Sequence, residues 1–424
     1  MSDKMFHVCM IHPFDPRGAK VGGIETYVRD YITYHPEDME LLLVGLDGFG
    51  DLEIGKITDI EFRGRRIKFL PILYYNDQQT NAYAAKLKDS LTFNFMRQLM
   101  FHWRTIRRYT SSTRATIELR RVEFAPFAAL LGRPFIQMLH DGAESKSSSM
   151  SSLLKKYWFI KEFGDYLALN LCSRFYCVNE NLTNRLKVMS PRCAHKLGTL
   201  TTWADKETFR PTEFDFTSNR LNIVYAGRLD LFKNPGLMFR TIQEVGRMTH
   251  GMVNFHYIGD GNIEAFQEFE AIRDITVRHG RRSASEIGRI LSSMHIGILT
   301  SEFEGMPRFV METLSAGRPT CALHLPQLEQ VIVEGKSGAL VPRSPTEIQD
   351  LAAKIVEVWT SIQEGHIRPE LVADTVAPYS PERLLSRIFG DHRRLQGLPA
   401  QPLELGAEVG LPPLAIDGSD QRKQ

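Results

Sequence analysis

At 424 residues, with 43% hydrophobic and 24% charged positions, the chain has room for two globular domains, each with its own core. Its five cysteines, Cys9, Cys172, Cys177, Cys193 and Cys321, are scattered and form no Cys-x-x-Cys pair, which speaks against a disulfide scaffold or a structural zinc site and fits a reducing, cytoplasmic setting. The net charge of +2 is unevenly divided: residues 1–200 carry 28 Lys and Arg against 21 Asp and Glu, the remainder 24 against 29. The basic half is either a face for an anionic membrane or acceptor, or ordinary solvated surface.

The first ten residues lack the apolar stretch of a signal peptide and no uncharged run reaches about 18 residues, so neither secretion nor a membrane span is expected. Apolar runs at 6–11, 40–46, 67–70, 115–119, 134–139 and 174–178 predict strands, with helical-period stretches between most of them. One such stretch sets Leu87, Leu91, Phe95, Leu99, Trp103 and Ile106 near one face, with Lys86, Lys88, Arg97, Arg104, Arg107 and Arg108 supplying positive charge. A helix of this kind either lies on anionic lipid or packs its apolar face on its own sheet. The second half repeats the plan with strand-like runs at 221–226, 252–258, 275–279, 296–300, 319–323 and 339–341. Strands alternating with helices make parallel sheets, so two such series predict an α/β chain of two doubly wound, Rossmann-like domains, 1–203 and 204–380. A helix follows at 381–396, and from 397 to 424 Pro, Gly and short polar residues without a period read as a disordered tail.

In open parallel sheets ligands sit beyond the carboxyl ends of the strands, and the notable residues fall on such loops. Gly22-Gly23 opens a helix after the first strand; paired glycines let a backbone approach a phosphate, or simply turn the chain. Glu25 beside them is equally a first-turn acid serving the helix dipole. His140 ends the run 134–139 and is followed by Asp141 and a serine-rich stretch at 145–152, a lid or an ordinary loop. Beyond 221–226 come Gly227, Arg228 and Lys233; beyond 252–258, Gly259-Asp260-Gly261; and around the end of the next strand, His279-Gly280-Arg281-Arg282.

The most telling segment runs from Ser301 to Pro319. Pro307 suits the first turn of a helix, so Glu304 falls in the loop before it and Glu312 about a turn and a half inside. At ~1.5 Å rise per residue the two carboxylates are offset by on the order of 8 Å. The N–H groups at Met306, Pro307's neighbours and Arg308, with the positive helix end, favour an anion such as a diphosphate between them. Hydroxyl-binding carboxylates on either side would suit a sugar and a ribose. Taken singly, Glu304 reads as well as a helix cap and Glu312 as a solvated residue.

With its register and flanks, Glu304-Gly305-Met306-Pro307 to Glu312 and then Gly317-Arg318-Pro319, the segment resembles the E-x7-E motif of retaining GT-B glycosyltransferases of family 4. The resemblance extends to Gly227-Arg228 and Lys233, whose family counterparts hold the departing nucleoside diphosphate, to the Gly22-Gly23 loop, to Gly259 and Gly261, and to His140. It also covers Asp205-Lys206-Glu207-Thr208-Phe209-Arg210-Pro211, the interdomain segment, although Trp203-Ala204 stands where the family has Asn-Gly, and Asp141 where Gly commonly follows the histidine. The resemblance implies that Glu304 and His140 serve the sugar side, Arg228 and Lys233 the diphosphate, Glu312 the ribose, Gly280 and Arg281 the base, and that the helix 381–396 crosses back to the first domain.

No Asp-x-Asp triplet occurs, which argues against a bridging divalent ion and leaves cations and helix ends to neutralise the diphosphate. The expectation is transfer of a hexose from a UDP- or GDP-sugar to a lipid-linked or polysaccharide acceptor, without cofactor or nucleic acid, at most peripheral on the inner face of the cell membrane. Rival readings are an epimerase or hydrolase of the same fold, and a non-catalytic sugar-nucleotide-binding subunit of a polysaccharide assembly complex.

Overall fold

The computed structural model describes residues 5–18, 22–75, 90–140 and 158–399, the side chains of 158–162 aside. Lys86, Leu87, Lys88, Asp141, the serine-rich stretch and the tail from 400 onward lie outside the described residues.

The first part of the chain runs β1 (Phe6–Ile11), α1 (Gly23–Tyr34), β2 (Met39–Asp47), β3 (Thr58–Phe62), β4 (Arg65–Tyr74), α2 (Leu91–Phe101), α3 (Trp103–Ser112), β5 (Thr116–Leu119), α4 (Ala125–Leu130), β6 (Phe135–Leu139), α5 (Trp158–Leu171), β7 (Arg174–Cys177), α6 (Glu180–Met189) and β8 (Leu197–Thr199). The second runs β9 (Leu221–Ala226), α7 (Pro235–Met248), β10 (Val253–Ile258), β11 (Thr276–Arg278), α8 (Ala284–Leu291), β12 (Ile296–Leu299), α9 (Arg308–Ser315), β13 (Thr320–Leu323), β14 (Gly338–Val341), α10 (Glu347–Gln363), α11 (Pro369–Asp374) and α12 (Pro381–Leu395).

Two sheets result. The first has the order β3-β4-β2-β1-β5-β6-β7-β8, parallel except for the β3–β4 hairpin. The second, β11-β10-β9-β12-β13-β14, is wholly parallel. In each the winding reverses beside the first strand, since β1 lies between β2 and β5 and β9 between β10 and β12. Such a reversal opens a crevice at the carboxyl ends of the strands concerned. The loops leaving β1, β5, β9 and β12 carry Gly22, Arg120, Arg228 to Lys233, and Glu304, so topology alone directs these residues to the crevices.

Both faces of the first sheet are covered, which is why its strands read as nearly unbroken apolar runs. Along β1, Phe6, Val8 and Met10 join one core and Cys9 and Ile11 the other, with the alternation of a strand. In the second domain α7 turns Leu237, Met238, Ile242 and Val245 inward at helical spacing. Its start is fixed by Asn234, whose left-handed backbone (φ 50°) and side-chain oxygen, 3.3 Å from the Leu237 N–H, cap the helix ahead of Pro235.

Three differences from the sequence reading have physical causes. Strand β3 alternates charged and apolar residues and pairs through a two-residue turn, Arg63 and Gly64, both with positive φ (48° and 74°); β8 has only three residues. Neither offers an apolar run. The amphipathic stretch is not one helix but two, broken at His102, and Phe95, Leu99 and Ile106, on the face that was to meet lipid or core, are fully buried in the domain's own core. The apolar groups that α2 leaves exposed are Phe93, Met100 and Phe101.

Helix α12 packs on the first sheet. Leu384, Leu385, Ile388 and Phe389 enter the same core as Phe6, Val8 and Tyr31. Polar groups follow: His392 accepts or donates at Thr116 Oγ1 (2.7 Å) and Glu118 Oε2 (2.6 Å), and the Tyr176 hydroxyl donates to Asp391 (2.5 Å).

Candidate functional site

The centre of the site is built by two neighbouring strands. Beyond β9 the chain makes a short 3-10 turn at Leu231–Lys233 before α7. At the end of β12 the Thr300 hydroxyl donates to the carbonyls of Lys233 (2.8 Å) and Asn234 (3.2 Å), holding that turn against the next loop. The Lys233 ammonium consequently meets the Glu304 carboxylate. Glu304 Oε1 also accepts from the Ser301 hydroxyl at 2.7 Å. With side chains only 17% and 11% exposed, this pair is screened less than a surface ion pair. The loop around it is fixed from behind by Gln327, which donates to the Glu304 carbonyl, and Arg343, which donates to that of Ser301, each at 2.7 Å.

Gly305 brings the two domains together. Its carbonyl accepts from Asn179 Nδ2 at 3.0 Å, and a Cβ on it would lie 2.7 Å from Val178 and 3.1 Å from the carbonyl oxygen of His140. Met306 is buried and Pro307 stands as the N-cap of α9. This helix is buried from Phe309 through Ser315, so Glu312 is enclosed rather than solvated. Burial pushes its carboxyl upward; Arg308, one turn back with Nε 3.0 Å from Glu312 Oε1, pulls it down.

The loops after β9, β10 and β11 are knitted together. Gly227 donates to the Ile258 carbonyl and Gly259 to that of Gly280, both at 3.0 Å, while the Tyr257 hydroxyl reaches the Gly227 carbonyl at 3.1 Å. Only glycine fits at 259, since a Cβ would stand 2.4 Å from the Tyr257 hydroxyl and 2.5 Å from Gly227 O. Of the cations expected here, Arg228 is 69% exposed and paired with Asp230 at 3.0 Å, and Arg281 is 44% exposed beside Asp260.

On the first domain, Gly22 is an extended N-cap whose missing side chain leaves space for Glu25; a Cβ would lie 2.3 Å from Glu25 Oε2. His140 meets Tyr27 edge-on at 5.4 Å, and its Nε2, closed off from solvent, has no hydrogen-bond partner among the described residues. Burial, reinforced by the nearby Arg120 charge, holds the imidazole well below its ordinary 6.5, so it is neutral near neutral pH.

The structure therefore brings Lys233 onto Glu304, the His140 backbone against Gly305, and Gly259 against Gly280. Among the described residues no hydrogen bond or ion pair joins Gly22 or Gly23 to Glu304, Lys233 or His140, and Arg228 is paired with Asp230. Sequence reading missed Arg120, which is 3% exposed with its guanidinium 3.6 Å over the Tyr27 ring and 2.6 Å from Glu118. It also missed Arg308, although a base four residues before an acid is a recognisable helical pair. Asp30, which reaches Arg308 from the other domain, gave no local signal at all.

Residues 220–361 match the family model for glycosyl transferases group 1. No curated protein matches the chain in sequence. Among solved structures, sucrose-phosphate synthase from Thermosynechococcus elongatus superposes with a TM-score of 0.70 at 11% identity, covering 92% of this chain and 99% of that one. The apo lipopolysaccharide outer core galactosyltransferase WaaB gives 0.60 at 15% identity, with 92% and 100% covered. Anabaena Alr3699/HepE in complex with UDP and glucose gives 0.62 at 13%, with 92% and 99% covered. The fold is GT-B, two Rossmann-like domains, and within it residues 220–361 are similar to glycosyl transferases group 1.

Proposed function

We propose that the protein transfers a hexose from a nucleoside-diphosphate sugar, UDP- or GDP-linked, to a lipid-linked or growing polysaccharide acceptor, with retention at the anomeric carbon. The observation that carries the reading is the shielded Lys233–Glu304 pair at the start of α9, with a second carboxylate, Glu312, enclosed further along the same helix. A cation held on one hydroxyl-accepting carboxylate, with a second carboxylate further along the helix, suits a ligand made of sugar, diphosphate and ribose. The group 1 match over 220–361 and the UDP and glucose held by the HepE neighbour support the same donor class.

In this scheme Glu304 accepts from sugar hydroxyls, Lys233 and the free N–H groups at the start of α9 receive the diphosphate, and Glu312 accepts from the ribose. Arg228 swings in from solvent to share the phosphate charge, Gly22 and Gly23 close over the donor, and Gly280 and Arg281 edge the base. As the bond from the anomeric carbon to the β-phosphate oxygen breaks, Lys233 stabilises the charge left on that phosphate. The same phosphate takes the proton of the acceptor hydroxyl, whose oxygen bonds to the carbon on the face just vacated. His140, neutral, lies on the sugar side as a hydrogen-bonding group. The scheme needs no cofactor. Exposed Phe93, Met100 and Phe101 on α2, with Arg97 and Arg104 in the same stretch, support peripheral contact with an anionic membrane that holds the acceptor.

The test is release of free nucleoside diphosphate from a panel of UDP-, GDP- and ADP-sugars, with and without a membrane lipid extract. Release that depends on the extract is expected. Equal release without it would replace transfer by hydrolysis or epimerisation, and donor binding without release under either condition would leave a binding subunit.

A further inference from the structure

The departure from the family pattern at Trp203 has a structural counterpart. Trp203 is 1% exposed, its ring lies 4.6 Å from that of Tyr27, and its indole N–H donates to Asp30 Oδ2 at 2.9 Å. The same Asp30 oxygen accepts from Arg308 Nη2 at 3.2 Å, and Arg308 turns its Nε to Glu312 Oε1 at 3.0 Å. The three charged side chains are 5%, 17% and 12% exposed, so the bonds act in a poorly screened setting. An unbroken chain of charge-assisted bonds thus starts at the segment joining the domains, passes through α1 of the first domain, and ends on the carboxylate of α9 in the second.

The charges explain why the links depend on one another. Glu312 is enclosed, and burial favours its neutral acid, which gives up one acceptor site to an O–H donor; the adjacent guanidinium favours the carboxylate. Arg308 is a rigid fork, and the arm it does not give to Glu312 is received by Asp30. Moving the domains apart removes that second partner and frees Arg308 to turn away. Trp203, from the joint itself, holds the Asp30 oxygen in place.

We propose that Trp203, Asp30 and Arg308 form a positioning relay that sets Glu312 for the nucleotide according to how the two domains sit, an inference that rests on Glu312 taking the ribose. Asp30 and Trp203 act through Arg308 and need touch no ligand. Their effect on nucleotide affinity therefore exists only while Glu312 is present.

The test is a double-mutant cycle on nucleoside-diphosphate affinity, measured calorimetrically with UDP, GDP and ADP on the full chain. Glu312→Gln is expected to weaken the preferred nucleotide about tenfold; Asp30→Asn is expected to weaken it about fivefold in the wild-type background and less than about twofold in the Glu312→Gln background. Trp203→Phe, which keeps an aromatic ring and loses the N–H, should follow Asp30→Asn with a smaller effect, and Arg308→Lys, which loses the fork that serves both carboxylates, should cost at least as much as Asp30→Asn. Equal losses from Asp30→Asn in both backgrounds, or none in either, would overturn the relay while leaving the nucleotide site standing. An unchanged affinity in Glu312→Gln, or wild-type protein that binds none of the three nucleotides, would instead overturn the reading beneath it and the relay with it. Thermal unfolding of each variant identifies any that fails to fold, and Trp203→Phe, which likewise reaches Glu312 only through Asp30 and Arg308, then carries the cycle in place of Asp30→Asn.

Discussion

Exchanging Lys233 for methionine keeps a long apolar stem and removes the charge that Glu304 faces. In the wild-type protein Glu304 Oε1 has two partners, the ammonium and the Ser301 hydroxyl at 2.7 Å, and the side chain is 11% exposed. The variant leaves a mostly shielded carboxylate with one neutral donor, a loss of about 1–3 kcal/mol in stability. The loss in the reaction is of a different kind. In the proposed transfer, charge develops on the leaving phosphate, and removing one preorganised donor there is expected to cost about 3 kcal/mol, or roughly 150-fold in kcat/KM at 25 °C. Arg228→Met is the matched control, because Arg228 is 69% exposed with Asp230 as its ion-pair partner; its stability should stay within about 0.5 kcal/mol of wild type while activity falls. Initial rates of nucleoside-diphosphate release with the acceptor extract, alongside denaturant unfolding, separate the two effects. A folded Lys233→Met protein with kcat/KM within about threefold of wild type would refute the reasoning.

The enclosed carboxylate has a pH signature. Because burial raises Glu312 above its ordinary 4.5, the folded chain holds this proton more tightly than the unfolded one. The group's stabilising contribution is full below 4.5 and is lost as pH climbs through the raised value, so Glu312→Gln should flatten that segment of a stability–pH profile measured by urea unfolding. His140 has the opposite sign: held well below 6.5, it contributes stability above that value that is lost as pH falls beneath it, and His140→Asn should be less sensitive to mild acid in the same assay. Gly259→Ala places a methyl 2.5 Å from the Gly227 carbonyl and should raise the donor KM about tenfold through displacement of both loops, read from donor titrations. Arg318 has no exposed surface and donates to the carbonyls of Leu291, Thr212, Glu213 and Ser292, so Arg318→Met should cost about 3–5 kcal/mol by denaturant unfolding, with donor affinity retained in the folded fraction.

Most of the strands were legible because both faces of each sheet are covered, so a run such as Phe6–Ile11 is apolar except at His7. The loop and helix from Glu304 to Glu312 were legible for a related reason: strand, glycine, proline and helix are local signals. What stayed hidden was either weak or distant. Strand β3 exposes Asp59 and Glu61 and buries only Ile60, and β8 is three residues held by its neighbour. The break at His102 is set by packing, since neither Gly nor Pro marks it. The pairing of Arg228 with Asp230, two residues away, depends on a turn whose geometry the sequence does not specify. The partnership of Asp30 with Arg308 joins positions 278 residues apart, and no periodicity within either helix announces it.

The last helix has a bearing on how the protein comes into being. Leu384, Leu385, Ile388 and Phe389 lie in the same core as strand β1, near the opposite end of the chain. During synthesis the first sheet must therefore wait, with the surface meant for α12 uncovered, until the second domain has already emerged from the ribosome. The two domains cannot mature strictly one after the other: the second can close on itself while the first is still incomplete. For the same reason, a fragment ending at the segment between the sheets would lack part of its own interior, and an exchange of donor domains between relatives would need to leave the final helix with its original partner.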